Sequence, residues 1–413
     1  MKNAARLLVL FVLTTRGFAE EVPTPLSGNE GDWCHPVPSE VGLLVDCPDA
    51  TFLKRLQIGG YVHFQSAVVD GEAAGDDFDY ERGSDWRRAR VTGKAEVFDF
   101  LSFLTHVNMV KDNGGSGGDV NWGYHGLFLA SAELDLKNVT GATWLDSWSV
   151  SYGKRKLQEL NEEIDTSINT ILTVERSALA GYLVPFREGT GTTGAWVKAG
   201  KGYDSFSLGL YTTDSSEEFG GWNEGTLVVG AWKHDFSECW DYGEAMFSLG
   251  GGYQDVSGDD ELYSPWEWVV TPWLKLQNDR WMLRLSAAVG ENEGPSATTG
   301  GSFYGFSITP EYDLIPERLQ AVVRYTIMGS DAPQGIQIPS RYAREAGGTS
   351  NEDFAELSEG RGDFHQSIYG GIVWWVCPRR ISVLAGVEWE ELESENEEVY
   401  SGVTGWFSTR IMF

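Results

Sequence analysis

Eight basic side chains share one parity along their segments: Arg88, Arg90 and Lys94, then Lys198, Lys275, Arg284, Arg324 and Arg410. In a chain with a two-residue period, equal parity means a common face. Here that face is opposite the apolar residues. Fixed guanidinium and ammonium groups on a wall offer anions charge-assisted hydrogen bonds in place of lost water. The planar fork of Arg suits phosphate, and several weak sites in a row allow release where one tight site would hold the ion. Glu96, Glu133, Asp135, Glu267 and Glu388 have the same parity. A cationic pathway and a neutralised ion-pair lining therefore both fit the pattern.

Enzyme chemistry is not legible. The six His form no HExxH pair, and no Gly-x-Ser-x-Gly stands on a strand-to-helix turn. Cys34, Cys47, Cys239 and Cys377 have no metal-site spacing; Cys34 and Cys47 lie close enough in sequence for a local disulfide. The sequence assigns no catalytic residue, no metal and no cofactor.

The basic residues sit in segments that alternate between polar and apolar residues. Such segments fall near 57–69, 86–97, 101–110, 124–136, 147–154, 192–199, 203–212, 226–235, 243–253, 266–277, 281–290, 302–312, 319–329, 366–376, 381–391 and 402–413. Sixteen is even, and the connections alternate between short turns and longer acidic loops, including 70–85, 330–365 and 392–401. Even number and alternating loop length are the signature of a transmembrane antiparallel β-barrel, an all-β fold. The fold predicted is such a barrel of about 16 strands over 56–413, lying against outer-membrane lipid. Charged residues avoid the apolar parity, where one would cost about 2–4 kcal/mol at mid-membrane.

The stretch Lys154–Gly191 has no two-residue period and is the third long loop. Ile164, Ile168, Ile171, Leu172, Val174, Leu179, Leu183 and Phe186 give it an apolar half that needs a surface to pack on. The barrel interior is the expected place, with the loop narrowing a channel; capping the barrel from outside is the alternative.

Residues 1–19 read as an export signal: Lys2 and Arg6, then the run Leu7–Leu13, then Gly17-Phe18-Ala19 before the cut. Removing Lys2, Arg6 and Arg16 with it takes the formal charge from −30 to −33, which argues against a nucleic-acid partner. Residues 20–55 carry prolines without a period and are expected to form a periplasmic extension. The 50 Gly and 53 aromatic residues, with only 41% hydrophobic residues, suit a barrel with a polar inner face. Localisation in a bacterial outer membrane follows from signal and barrel together.

Ser84–Met109, with Arg87-Arg88-Ala89-Arg90 in it, is followed by Gly153-Lys154-Arg155-Lys156 and by Asn161–Val197 with Glu175-Arg176-Ser177. This combination resembles the phosphate-selective porin O/P family over roughly 85–210. The resemblance implies a sixteen-stranded barrel, a homotrimer, an inward third loop, and passage of small anions such as phosphate or of other polar solutes. By position the resemblance singles out Arg87, Arg88, Arg90, Lys154, Lys156, Glu175 and Arg176; together with the parity of Lys94, Lys198, Arg284 and Arg324, this gives pore-lining or anion-binding candidates Arg87, Arg88, Arg90, Lys94, Lys154, Lys156, Arg176, Lys198, Arg284 and Arg324, with Glu175 and Arg187 as structural candidates in the constriction loop. Strict parity turns Arg87 toward lipid, so a bulge or an early loop end is required there.

Overall fold

The computed structural model describes residues 42–73, 76–110, 122–184, 191–216, 218–240, 243–256, 262–294, 297–337 and 360–413. Sixteen antiparallel strands form a closed barrel: β1 (Leu53–Ala73), β2 (Asp76–Val97), β3 (Leu101–Asn108), β4 (Leu127–Asp135), β5 (Ser147–Arg155), β6 (Thr192–Lys201), β7 (Asp204–Thr212), β8 (Thr226–Asp235), β9 (Glu244–Asp255), β10 (Trp266–Gln277), β11 (Trp281–Asn292), β12 (Gly301–Ile315), β13 (Leu319–Ser330), β14 (Phe364–Cys377), β15 (Ile381–Ser394) and β16 (Glu397–Met412). Each strand pairs with the next, and β16 pairs with β1 from Tyr400↔Ala73 to Met412↔Tyr61. All sixteen strands expected from the alternation are present.

The two faces are sorted opposite to those of a soluble protein. Val323, Ile368, Trp374 and Val387 stand about half exposed on the outside, while Arg324 and Arg410 are 1% and 2% exposed on the inside. Exposed aliphatic residues on a continuous outer band satisfy a bilayer, where closure leaves no unpaired backbone edge. No helix among the described residues is long and apolar enough to cross a membrane, which says nothing about crossing by strands.

Short turns gather at one end of the barrel. Phe98, Glu317 and Arg379 take left-handed conformations in three of them. Two of the expected acidic loops are instead strand. β1 runs to Ala73 and β2 starts at Asp76; β15 and β16 are joined by a two-residue turn with both Glu395 and Asn396 at positive φ. Paired positive φ matches the strand twist and lets the hairpin continue past the membrane.

The barrel start expected at 56 lies inside β1. Part of the expected extension is also strand: Leu43–Asp46 pairs with β1 at Arg55–Gln57. The reason is geometric. β1 begins eight residues before the last residue of β16 can reach it, and Phe413 ends the ladder by exchanging backbone bonds with Gly60 at 2.7 and 2.9 Å. Below that point the edge of β1 is open, and Gly42 accepts from the Ile58 N–H at 2.8 Å. A Cβ at Gly42, where φ is +82°, would overlap the Ile58 carbonyl oxygen, so glycine is required. The segment 1–41, with the expected signal and Cys34, lies outside the described residues. Among the described residues Cys47, Cys239 and Cys377 form no disulfide with one another, and the Cys34–Cys47 pairing lies outside them.

The outward face of β15 gives a direct test. Val387→Arg puts a charge within the apolar band and should cost about 2–4 kcal/mol in urea-titrated folding into lipid vesicles, whereas Ile381→Arg near the turn end should cost at most about 1 kcal/mol. Equal costs at both positions would contradict the assigned membrane band.

Candidate functional site

The third long connection leaves the wall after Arg155, two residues past Gly153, whose φ of +145° and close approach to the Ala130 carbonyl exclude a side chain. It then folds on itself in short capped pieces. Asn161 caps the turn Glu162–Asp165 by accepting from the Glu163 N–H, and Ser177 caps the helix Ala178–Leu183 by accepting from the Ala180 N–H. Leu157, Leu160, Ile164, Leu179, Leu183 and Val184 are buried with Trp196, Val229, Trp266, Val269, Phe303 and Met328, which sit on β6, β8, β10, β12 and β13. Leu172 and Val174 pack with Val322, Tyr369, Leu384 and Trp406.

Irregular backbone in such a place needs donors for its carbonyl oxygens. The arginines of the wall supply them. Arg410 donates to the carbonyls of Ile171 at 2.6 Å, Thr173 at 2.7 Å and Val174 at 3.0 Å. Arg324 donates to the Glu175 carbonyl at 2.8 Å and to Glu388 Oε1 at 2.8 Å. Arg284 lies between Glu162, at 3.0 Å, and Glu311. Within the loop, Arg176 donates to the carbonyls of Glu163 and Thr166 at 2.6 and 2.9 Å.

Glu175 is the carboxylate that β2 holds. Arg87 Nε reaches its Oε1 at 2.7 Å and Arg88 Nη2 its Oε2 at 3.0 Å. Burial pushes the Glu175 carboxyl up, but the two guanidiniums override this and hold it well below the usual carboxylate range. Both arginines can face it because β2 is bulged: His63 pairs with Arg88 but Gln65 with Asp85, so Trp86 and Arg87 together stand opposite Phe64. This is the bulge that parity required.

The remaining candidates are scattered. Lys154 donates to the Ser216 carbonyl at 2.5 Å, and Lys156 to the Ile164 carbonyl at 3.2 Å. Lys94 forms a half-exposed pair with Glu96 at 3.0 Å. Lys198 is partly exposed on the inward face of β6. Arg187 lies outside the described residues. Glu267, expected inside, lies beside Glu291 and Glu293 because the ladder skips it between Trp266 and Trp268.

Sequence reasoning missed Tyr61, His63, Asn108, Phe128 and Asn169. His63 Nε2 and Asn169 Oδ1 are 2.7 Å apart. Arg90 donates from Nε to Asn108 Oδ1 at 2.8 Å and from Nη1 to the Tyr61 hydroxyl at 2.7 Å, with its guanidinium 3.3 Å from the centre of the Phe128 ring. Phe128 faces inward through a second bulge, since His106 pairs with Leu129 but Val107 with Leu127.

Charge divides the interior into two regions. Arg87, Arg88, Arg176 and Arg410 lie within electrostatic range of Glu175, Arg90 lies within range of Arg88, and Glu163 acts on Arg176 as well. Across the barrel, Arg155 pairs with Glu159, Arg284 with Glu162 and Glu311, and Lys275 with Glu244. Paired charges thus lie on one side, and clustered guanidiniums on the other. Among the described residues no group of three or more His, Cys, Asp or Glu could hold a metal ion.

Solved structures share this architecture. An anion-selective porin from Comamonas acidovorans superposes with a TM-score of 0.52 at 12% identity, over 87% of this chain and 99% of that one. OprB of Pseudomonas putida gives 0.50 at 9% identity, over 86% and 94%. The fold is that of the outer-membrane porins. No protein-family model matches the chain, and no curated protein matches it either, so the phosphate-selective O/P resemblance gains no support beyond the residues that suggested it.

Removing the donors should free the loop of this porin-type barrel. Arg410→Met leaves three carbonyl oxygens to find other partners, at about 1–3 kcal/mol for each that stays buried and unpaired. The expected result is protease cleavage between Ile171 and Arg176 in detergent, where the wild-type loop is protected. Because the Glu175 carboxyl is held low, its contribution is present above the usual carboxylate range and is lost only as pH falls through the depressed value, so wild-type protection should persist at pH 5.

Proposed function

We propose that this chain is a bacterial outer-membrane porin: a homotrimeric, water-filled channel for passive diffusion of small polar solutes that favours anions. The third loop is its constriction. The observation that supports the anion preference is the cluster of Arg87, Arg88, Arg176 and Arg410 within range of Glu175, with Arg90 beside Arg88, on the wall formed by β1, β2 and β16 and on the loop facing it; among the described residues Glu163 is a second carboxylate acting on Arg176. A fixed positive excess at the narrowest level replaces the hydration of an anion and repels a cation. Anions on the phosphate side of this class remain candidates through the Arg fork.

A shallow depression on the outer wall supports the trimer. Ser66, Gly370, Ala385 and Gly405 form its floor between Val68, Ile372, Val387 and Phe407, with a volume of about 560 Å³. Small residues let another barrel approach closely in lipid.

One observation favours a weaker selectivity. Glu72, Glu391 and Glu393 stand within range of Glu398 at the long-loop end, and such carboxylates repel anions over the Debye length of about 8 Å at physiological salt. This applies at the mouth, while the guanidiniums act at the constriction.

Single-channel recording in planar bilayers tests the pore, and the reversal potential in a KCl gradient tests its sign. Wild type should give discrete steps and anion selectivity. Arg90→Gln combined with Lys156→Gln should lower the chloride-to-potassium permeability ratio at least about tenfold, since even one of the two lost unit charges, about 12 Å away at an effective dielectric constant near 20, is worth about 1.4 kcal/mol. Absence of steps would overturn the pore. An unchanged ratio would overturn the cationic constriction.

A further inference from the structure

We propose that Lys198 and Glu133 form a two-ended site for zwitterionic amino acids, the Lys198 ammonium taking the solute carboxylate and the Glu133 carboxylate taking the solute ammonium. The proposal rests on the pore reading above and adds a solute class to it.

Lys198 lies within electrostatic range of Arg155, Glu133, Glu159 and Asp165. Both Glu159 oxygens accept from Arg155 at 2.9 Å, and Asp165 accepts from Lys233 at 2.5 Å. Those charges are matched. Among the described residues the Lys198 ammonium has neither an ion pair nor a hydrogen bond, and the Glu133 carboxylate receives only the Ser151 hydroxyl, at 3.2 Å. Register keeps the two apart. Glu133 pairs with Ser151 and Ser151 with Trp196, while Lys198 stands two residues further along β6. Strand spacing and rise then put their Cα atoms about 12 Å apart. Between them β5 contributes only small side chains, Ser151 opposite Glu133 and Ser149 opposite Lys198.

Exposure agrees. Lys198, Glu133 and Ser149 are partly exposed on the inward face, as are Ser131 and Ser207 on the neighbouring strands. On the wall across the barrel, the inward Ser307, Ser367, Ser382 and Ser408 are buried. Water therefore reaches the serine-floored recess between Lys198 and Glu133. A recess with one fixed charge of each sign gives a simple ion no net preference, since one end attracts what the other repels. An α-amino acid carries its ammonium and carboxylate on one carbon and meets both ends with charge-assisted hydrogen bonds. Solvated charge pairs are individually weak, so the solute is released again, as passage requires.

The test compares L-alanine with lactamide, its uncharged isomer, as labelled solutes entering proteoliposomes at millimolar concentration, each corrected for protein-free vesicles. Alanine should enter about threefold faster than lactamide through the wild-type channel. Lys198→Gln and Glu133→Gln should each bring the two rates together. Lys198→Arg and Glu133→Asp keep the charges and should retain the preference, a rescue that a purely structural role would not produce. Equal entry of the two isomers in wild type overturns the site while leaving the pore intact. Loss of the preference in Lys198→Gln but not in Glu133→Gln overturns the pairing and leaves Lys198 as an anion contact alone. No entry of lactamide through wild type overturns the pore reading on which the proposal rests.

Discussion

A guanidinium inside the barrel must find acceptors, and a loop without a sheet must find donors. The two needs are met by one another. Arg410 caps three carbonyl oxygens within the four residues Ile171–Val174, and Arg324 joins a loop carbonyl to a wall carboxylate. Sixteen strands enclose more space than their own side chains fill. The described part of the loop packs its apolar side chains on the wall, and the wall arginines supply donors to its backbone.

This division of labour separates the inward cations into two kinds. On the side of β6 to β13 the loop is held largely by apolar packing and by paired charges. On the side of β1, β2 and β16 it is held by arginines whose charge is met mostly by carbonyl dipoles and one carboxylate. A dipole satisfies the hydrogen bonds of a cation without cancelling its charge. Structural work and a positive local field are therefore compatible in the same residues, which separates Arg410 from Arg284.

The barrel was legible in the sequence because its two solvents impose a strict period of two. Strand 266–277 is found with the boundaries read from the pattern, and the inward placement of Arg284, Arg324 and Arg410 follows from parity alone. Parity cannot say what an inward arginine touches, because its partners lie far off in the chain: Arg410 and Ile171 are 239 residues apart. It also fails wherever one residue is added to a strand. Arg87, Phe128 and Glu267 all sit at such interruptions. For Arg87 a conflict between parity and charge gave warning. For Phe128 no conflict arose, since an aromatic residue is acceptable on either face.

The junction of Gly60 with Phe413 joins the two ends of one long ribbon. A ribbon of fifteen hairpin-linked contacts can form from neighbours, yet until the last strand meets the first it carries two raw edges, each able to recruit any other unpaired backbone. Circularity is thus acquired in a single late event of very high sequence separation, the kind of step that makes assembly slow. The short Leu43–Asp46 strand lies just beyond that join. It takes up the edge of β1 below the last rung shared with β16, so that stretch of hem is stitched by a local strand and offers no template to a passing chain.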